Sequence, residues 1–545
     1  LRAYDIFENT RKRSNIYYFH DMLRESVNVM MTNEVALARV ANKKDRLVVD
    51  EFQDTNPVQY EMVRRLAGTR AQLMVVGDVD QTIYEFTGAD PEFMRNQCQM
   101  DFPGLKFYPL SYTFRYGQAL ATASTNLIKN NKERFDQDCV SFNKDQAMDL
   151  NAHGIDPSRE PDLVYRLIKD ATDPEGERRL TYKDIAIISR VYGAAGGIEM
   201  ELLKNGIPCI IPKESSILQS KEMIVVMAVA KILGCFEQGD PNEGWRMVRN
   251  MGGQDLNEIT SFTKLNFLGG DVREQIMIDF VEENPRDLTF DRFVMMHPLA
   301  DQARSEKPFM KRILSEEPMA IAMTISSNGR SMAKSFYKKL NSVIRALELD
   351  EQLKSRCMTQ MDEEVSERRL DAILGYIKFH DMDRDEFIEN IERLREQQEN
   401  TRDVKDGVLI TSVHKAKGLE WPMVIMPSME EGLFPFEPQD GMTPGLLESE
   451  RRLCYVAMTR SQETLHLIGP DFDRQYSKLL KGESVSSIKE TDSGASSFLF
   501  EMQMNPEAFK FKLHGKPQSG PVFRDNATWA DFAGRDSRSI NTGGL

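Results

Sequence analysis

The run Leu47-Val48-Val49-Asp50-Glu51-Phe52-Gln53-Asp54 decides the fold. Three apolar, strand-forming residues end abruptly in two adjacent carboxylates. In nucleotide-hydrolysing α/β domains an acidic pair at the carboxyl edge of a parallel sheet faces Mg²⁺ and the attacking water. Taken alone, an Asp-Glu pair at a strand end reads as ordinary surface acids. The residues that follow, Gln53, Asp54, Thr55, Asn56 and Gln59, weigh against that, because so polar a loop beside a buried strand makes contacts.

Working outward, Leu73–Val76 is a second strand signal and leads to Gly77-Asp78. Between the two lies a helical segment after Asn56-Pro57, where proline suits the first turn. This strand–helix–strand spacing predicts a parallel sheet. The second strand opens into Val76-Gly77-Asp78-Val79-Asp80-Gln81-Thr82-Ile83-Tyr84-Glu85-Phe86-Thr87-Gly88-Ala89. Gln81 is placed to sense a terminal phosphate. Tyr84 and Phe86 offer faces on which bases stack, worth roughly 1–3 kcal/mol per base. In isolation the same residues read as a turn with two core aromatics.

Further along, residues 105–235 carry a second α/β pattern. Ile185–Ile188 is a predicted strand, and Ile198–Leu203 a predicted helix stopped by Asn205-Gly206. Residues 236–403 are charged and helix-rich. Strand signals return at Val408–Thr411, Val424–Pro427 and Leu465–Ile468, so the simplest reading is an α/β domain interrupted by a helical insertion. Residues 1–44 are polar and helix-like, with an apolar pattern through Ile16, Phe19, Met22 and Leu23. The last 40 or so residues are rich in Gly, Ser, Asn and Asp and read as a flexible tail.

Bulk properties bound the function. A chain of 545 residues suggests three or four domains, and 41% apolar with 28% charged residues is ordinary globular composition. The six cysteines stand far apart without a CxxC, which argues against a disulfide or zinc scaffold and for a reducing cytoplasm. The longest apolar stretch, Met223 to Phe236, contains Lys231, is too short to span a bilayer and reads as a buried helix. The N-terminus has no signal-peptide pattern. A net charge of −15 excludes a generally basic nucleic-acid binder. It leaves room for a single strand held in a local groove by a few cations and aromatic platforms.

The runs DEFQDTNPVQ and VVGDVDQTIYEFTGA resemble motifs II and III of the UvrD/Rep/PcrA group of superfamily 1 DNA helicases. Later segments agree, in that family's order. Leu110-Ser111-Tyr112-Thr113-Phe114-Arg115 resembles motif IV. Ile185–Ser189, with Glu199 and Gly206-Ile207-Pro208, resembles motif IVa. Ile410-Thr411-Ser412-Val413-His414-Lys415-Ala416-Lys417-Gly418-Leu419-Glu420-Trp421-Pro422 resembles motif V. Glu450-Arg451-Arg452-Leu453-Cys454-Tyr455-Val456-Ala457-Met458-Thr459-Arg460 resembles motif VI, and Ser497-Phe498-Leu499 the closing motif of the second motor.

The resemblance implies a fold: an α/β chain of tandem RecA-like motor domains with a helical insertion. Residues 1–44 would end the 1B insertion, 45–109 form the later part of motor 1A, and 110–235 with 404–505 form motor 2A. Residues 236–403 would be the 2B insertion, and 506–545 a tail able to dock a protein partner. It implies an ATP-dependent helicase on single-stranded DNA and duplex junctions, moving 3′→5′, with ATP and Mg²⁺ and without a membrane partner.

It also implies roles. Asp50 would hold Mg²⁺, Glu51 activate water and Gln81 sense the γ-phosphate. Arg115 and Arg460 would contact that phosphate from the second motor, where planar guanidinium suits phosphate oxygens. Phe114 would stack on adenine, Glu420 bind the ribose, and Gly418 allow close backbone approach. Tyr84, Phe86, Thr411 and His414 would face the DNA strand. His414 by itself reads as a satisfied loop histidine, and Arg451 and Arg452 by themselves as a charged helix face.

The chain departs from the family in one large respect. No G-x-x-x-x-G-K-[ST] loop occurs in its 545 residues. Without it there is no backbone cradle for the phosphates and no lysine on the β- and γ-phosphates. Only 49 residues precede Asp50 and the first residue is Leu1, so an N-terminally truncated sequence is expected. Thr113 replaces the usual Asn, Phe86-Thr87 the usual Trp-Arg, and Trp421 the common Phe. Two other readings stay open. One is a catalytically inactive, helicase-like DNA-binding scaffold, which the absent loop favours but the joint presence of Asp50, Glu51, Gln81, Arg115 and Arg460 opposes. The other is the motor of a helicase–nuclease, against which stands the lack of a carboxylate cluster after motif VI.

Overall fold

The computed structural model describes residues 2–237, 298, 335–400, 406–470, 494–502 and 509–513, apart from 144, 177–178, 347–348, 356 and 439. They belong to two compact units, Leu1–Asn28 with Lys213–Glu396, and Val29–Pro212 with Gln397–Leu545. Most of the expected insertion 236–403 and most of the expected tail lie outside the described residues.

Helices α1 (Arg2–Arg13), α2 (Phe19–Thr32) and α3 (Glu34–Val40) lead to β1 (Arg46–Val49), α4 (Pro57–Ala67) and β2 (Gln72–Val75). Then come α5 (Cys98–Asp101), β3 (Tyr112–Thr113), α6 (Gln118–Ile128), β4 (Val140–Ser141), β5 (Asp149–Gly154) and α7 (Glu160–Ala171). They are followed by β6 (Ile185–Ser189), α8 (Gly196–Lys204), β7 (Cys209–Ile210) and α9 (Lys221–Glu237). Among the described residues there follow α10 (Phe336–Ala346), α11 (Leu349–Lys354), α12 (Gln360–Phe379) and α13 (Arg384–Asn400). The chain continues through β8 (Val408–Ser412), α14 (Val413–Ala416), β9 (Trp421–Met426), α15 (Pro444–Met458), β10 (Ser461–Gly469), α16 (Ser497–Glu501) and β11 (Phe509–Leu513).

In the second unit β1 and β2 pair in parallel, with Val49 opposite Val75, so both strands end at the same edge. Helix α4 makes the crossover. Asn56 accepts from Gln59 N–H while the Gln59 side chain returns to Asn56 N–H, a complete capping box with Pro57 in the first turn. Phe52, Tyr60 and Cys98 form a small core with Val49, Leu73 and Val75 beneath the acidic loop.

A larger sheet in the same unit has the order β11-β5-β10-β9-β6-β8-β7, every neighbouring pair parallel. Strand β6 is buried at all five positions, as a strand covered on both faces must be. Helices α6, α15 and α16 bury Leu120, Leu127, Val456 and Phe498 against this sheet. Helix α8 stops at Asn205, with Gly206 at φ +75° carrying the chain out of the helix.

In the first unit Met223 to Phe236 fall within α9, where Met223, Val226, Val229 and Leu233 are buried. No helix among the described residues is long and apolar enough to cross a membrane.

Of the apolar pattern Ile16, Phe19, Met22 and Leu23, the first three residues are exposed and Leu23 is half-buried. Helix α2 instead buries Val27 and Met30, together with Asp21, which is paired with Arg11. Residues 509–513 are not tail. They add β11 to the edge of β5, with Phe509 opposite Leu150; the alternation Phe509-Lys510-Phe511-Lys512-Leu513 has the two-residue period of a strand. Arg451 and Arg452 are not an exposed face, because both are buried within the second unit.

Candidate functional site

Asp50 and Glu51 follow β1 directly and are exposed. Glu51 sits at φ 51°, ψ 39°, a left-handed conformation that costs a non-glycine residue energy and turns the loop sharply. The Asp50 carboxylate accepts from Glu51 N–H at 2.9 Å, which holds the pair at the strand edge.

A chain of hydrogen bonds runs from Glu51 into the second α/β part. Gln53 Nε2 donates to Glu51 Oε2 at 2.6 Å, and Gln53 Oε1 accepts from Asp78 N–H at 3.0 Å. Gln81 Nε2 donates to Asp78 Oδ2 at 2.8 Å, and Gln81 Oε1 accepts from Arg460 Nη2 at 3.3 Å. The buried Gln53 passes so close to Gly77 that a Cβ there would lie 2.3 Å from its Oε1.

Arg460 stands at the start of β10, 2% exposed, with Nε donating to Val456 O at 2.9 Å. Burial, then the neighbouring Arg115, pushes its guanidinium down to about 10, so it remains charged at neutral pH. Arg115 donates through Nε to Glu420 and through Nη1 to Thr459 O at 3.2 Å. That guanidinium holds the Glu420 carboxyl below its usual range, and Gln462 Nε2 donates to Glu420 Oε1 at 2.8 Å. Two guanidiniums thus share one locality, one of them buried, with a single carboxylate bonded to the outer one. An anion there would offset the cost of burying Arg460.

The two walls differ in polarity. Asp50 and Asp78 lie past the carboxyl ends of β1 and β2, whereas Glu420 and Arg460 immediately precede β9 and β10. The familiar carboxyl-edge rule for α/β sheets covers only the first wall.

Lys417 joins them. Its Nζ pairs with Asp54, donates to Gln81 O at 2.9 Å and lies 5.0 Å from the Tyr84 ring centroid. Burial raises the Asp54 carboxyl despite that pair, and Asp54 Oδ1 has no partner. Sequence reading gave no role to Asp54 or Lys417; the available signal was a lysine beside Gly418 in the motif V stretch. Gly418 itself has φ +85° and open space where a Cβ would stand.

Phe114 is 74% exposed and packs against Phe142, ring centroids 4.5 Å apart. Its free face is available to a planar group. Tyr84, Phe86 and His414 come together elsewhere in the unit. Phe86 meets His414 edge-on at 5.4 Å, Tyr84 lies 6.1 Å from each, and the Tyr84 hydroxyl donates to His414 O at 2.9 Å. Phe86 is 75% exposed. Burial, then Arg190, lowers the His414 imidazole below its ordinary 6.5, so it is neutral at pH 7. Thr411 is only 4% exposed, its hydroxyl turned toward Ser412 O.

The donor set suits Mg²⁺. It favours one or two carboxylates with substrate phosphates and water over an all-protein cage. The exposed Asp50-Glu51 pair fits that, and no cluster of three or more His, Cys, Asp or Glu able to hold a metal occurs among the described residues.

Two family models match the chain. The UvrD/REP helicase N-terminal domain covers residues 1–103, and the UvrD-like helicase C-terminal domain covers residues 108–469. The chain is similar to the ATP-dependent DNA helicase Rep of Escherichia coli, 27% identical over 88% of this chain and 68% of the relative. It is 26% identical to the ATP-dependent DNA helicase PcrA of Leuconostoc citreum, over 88% of this chain and 61% of the relative. Against PcrA of Bacillus subtilis it is 27% identical over 95% of this chain and 67% of the relative. The chain therefore spans about two thirds of the length of the curated relatives it matches.

Proposed function

Because this chain belongs to the UvrD-like helicase family, we propose that it is the motor of an ATP-dependent DNA helicase that tracks along single-stranded DNA. The observation that carries the reading is the hydrogen-bonded path Glu51–Gln53–Asp78–Gln81–Arg460. It links the acidic pair of one wall to a buried guanidinium of the other.

In this reading Asp50 holds Mg²⁺, which supplies charge neutralisation on the phosphate oxygens. Glu51 accepts a proton from the attacking water. Gln81 holds Arg460 toward the terminal phosphate, and Arg115 joins it when released from Glu420. Glu420 is then free for the ribose hydroxyls, and Phe114 offers its open face to adenine. Gly418 leaves room for the nucleotide to approach the backbone. Tyr84, Phe86 and His414 grip the strand by stacking, whereas Thr411, 4% exposed, does not present its side chain for the expected DNA contact. Movement is 3′→5′, and opening of duplex junctions follows from the same steps.

The absence of a G-x-x-x-x-G-K-[ST] loop from the 545 residues favours a second reading, a DNA-binding scaffold that does not hydrolyse ATP. One experiment separates the two: ATP turnover stimulated by single-stranded DNA, for this chain and for its reading frame extended upstream of Leu1. Arg460→Ala is expected to lower turnover by roughly 10³–10⁵-fold, as loss of an arginine finger does, while sparing most nucleotide binding. Unchanged turnover in that variant sinks the finger assignment. No stimulated turnover in either protein leaves the scaffold standing.

A further inference from the structure

Phe86 lies at the centre of a short 3₁₀ turn, Glu85–Thr87, that leaves its ring in solvent. The first residue of that turn, Glu85, reaches α15 with both carboxylate oxygens. Oε1 accepts from Arg452 Nη2 and Oε2 accepts from Ser449 Oγ. Arg452 Nη2 also donates to Ser449 Oγ at 3.0 Å, and its Nε donates to Thr82 O at 3.1 Å. Ser449 and Arg452 stand three residues apart, on one face of the helix. The same helix ends at Met458, two residues before Arg460.

These contacts have a direction. The guanidinium fork grips the chain on both sides of Ile83-Tyr84, at Thr82 O and at Glu85. Its planar shape fixes angles as well as distances. The Thr82 bond alone would anchor the segment. The Glu85 side chain is 37% exposed and the Arg452 side chain 7%, so water screens this pair from the Glu85 side, and Glu85→Gln keeps an acceptor oxygen for the guanidinium. What the Glu85 arm adds is the orientation of the turn that carries Phe86.

We propose that Glu85, Ser449 and Arg452 are positioning residues that aim the Phe86 ring and make it follow α15, the helix that leads to Arg460. A shift of the arginine finger on nucleotide binding or release would then be delivered to the base-stacking platform as a shift of one ring. The proposal rests on the reading of Phe86 as a stacking platform.

The test is binding of fluorescein-labelled oligothymidine to the full chain, followed by anisotropy. Removing an acid beside an anionic strand tightens binding on electrostatic grounds alone. The proposal expects the opposite sign. Glu85→Gln weakens binding about 5-fold or more, the low end of losing one stacked base, with the midpoint of thermal unfolding unchanged. Ser449→Ala weakens it in the same direction. In a Phe86→Ala background Glu85→Gln adds no further loss, because the ring it aims is gone. Glu85→Gln binding as tightly as the unaltered chain, or a loss that multiplies with that of Phe86→Ala, overturns the proposal. Loss in Phe86→Ala with none in Glu85→Gln removes the positioning role and leaves the platform. No loss in Phe86→Ala removes the platform reading itself.

Discussion

Gly77 lies against the hydrogen-bonded path from Glu51 to Arg460, where Gln53 passes it. Any side chain at 77 would displace Gln53, whose amide bonds both the Glu51 carboxylate and the Asp78 backbone. Gly77→Ala is expected to lower stability by about 1–3 kcal/mol through overpacking, read by urea denaturation. An unchanged midpoint would mean that Gln53 has another place to go. At this scale the sequence was uneven. The carboxylates Asp50 and Glu51 stood out because they end an apolar strand. Gln53 and Lys417 did not, since an amide or a lysine in a polar loop carries no pattern until the partner it reaches is known. Arg452 was hidden for a related reason. A guanidinium bonded to Thr82 O looks, in one dimension, like any charge on a helix.

Among elements, the strands were the most legible. The predicted strands at 47–49, 73–76, 185–188, 408–411, 424–427 and 465–468 correspond to β1, β2, β6, β8, β9 and β10; the last four are largely buried in the seven-stranded sheet, whereas β1 and β2 alternate exposed and half-buried positions. Strand β5 escaped notice because Asp149-Leu150-Asn151-Ala152-His153-Gly154 is half polar, although most of it is buried. The His153 and His466 imidazoles meet there at 2.9 Å across β5 and β10, a buried polar contact that apolar periodicity does not register. Helix α2 is hard to read for the converse reason: Phe19 and Met22 face solvent, while the acid Asp21 is buried beside Arg11, along with Val27 and Met30. That pair yields a pH signature. The Arg11 guanidinium, then the Tyr18 N–H, hold the Asp21 carboxyl down to about 2 from the ordinary 3.8. Its stabilisation is therefore complete above about pH 4 and is lost as the pH falls toward 2. Asp21→Asn should melt below the unaltered chain at pH 7, and the gap should close between about pH 4 and 2. A gap that persists at pH 2 would show that packing, not charge, holds α1 to α2.

Across the whole molecule, a chain with net charge −15 must grip an anionic strand at a small place. Tyr84, Phe86 and His414 supply faces with little formal charge, and the neutral His414 adds none. Affinity built this way comes from unpaired bases more than from phosphates, so it should discriminate strongly against duplex. The order of the motifs along the chain made the α/β class and the family readable. It could not disclose that one wall of the site uses the carboxyl ends of strands and the other wall the amino ends, because strand polarity at a cleft depends on tertiary pairing.

The most direct measurement is a pair of anisotropy titrations on this chain, one with oligothymidine and one with a duplex of equal length, each at several salt concentrations. The account predicts single-strand binding at least about 10-fold tighter than duplex binding, with a shallow salt slope. Equal or tighter binding of the duplex, or a steep slope shared by both, would contradict a motor that holds its track by stacking.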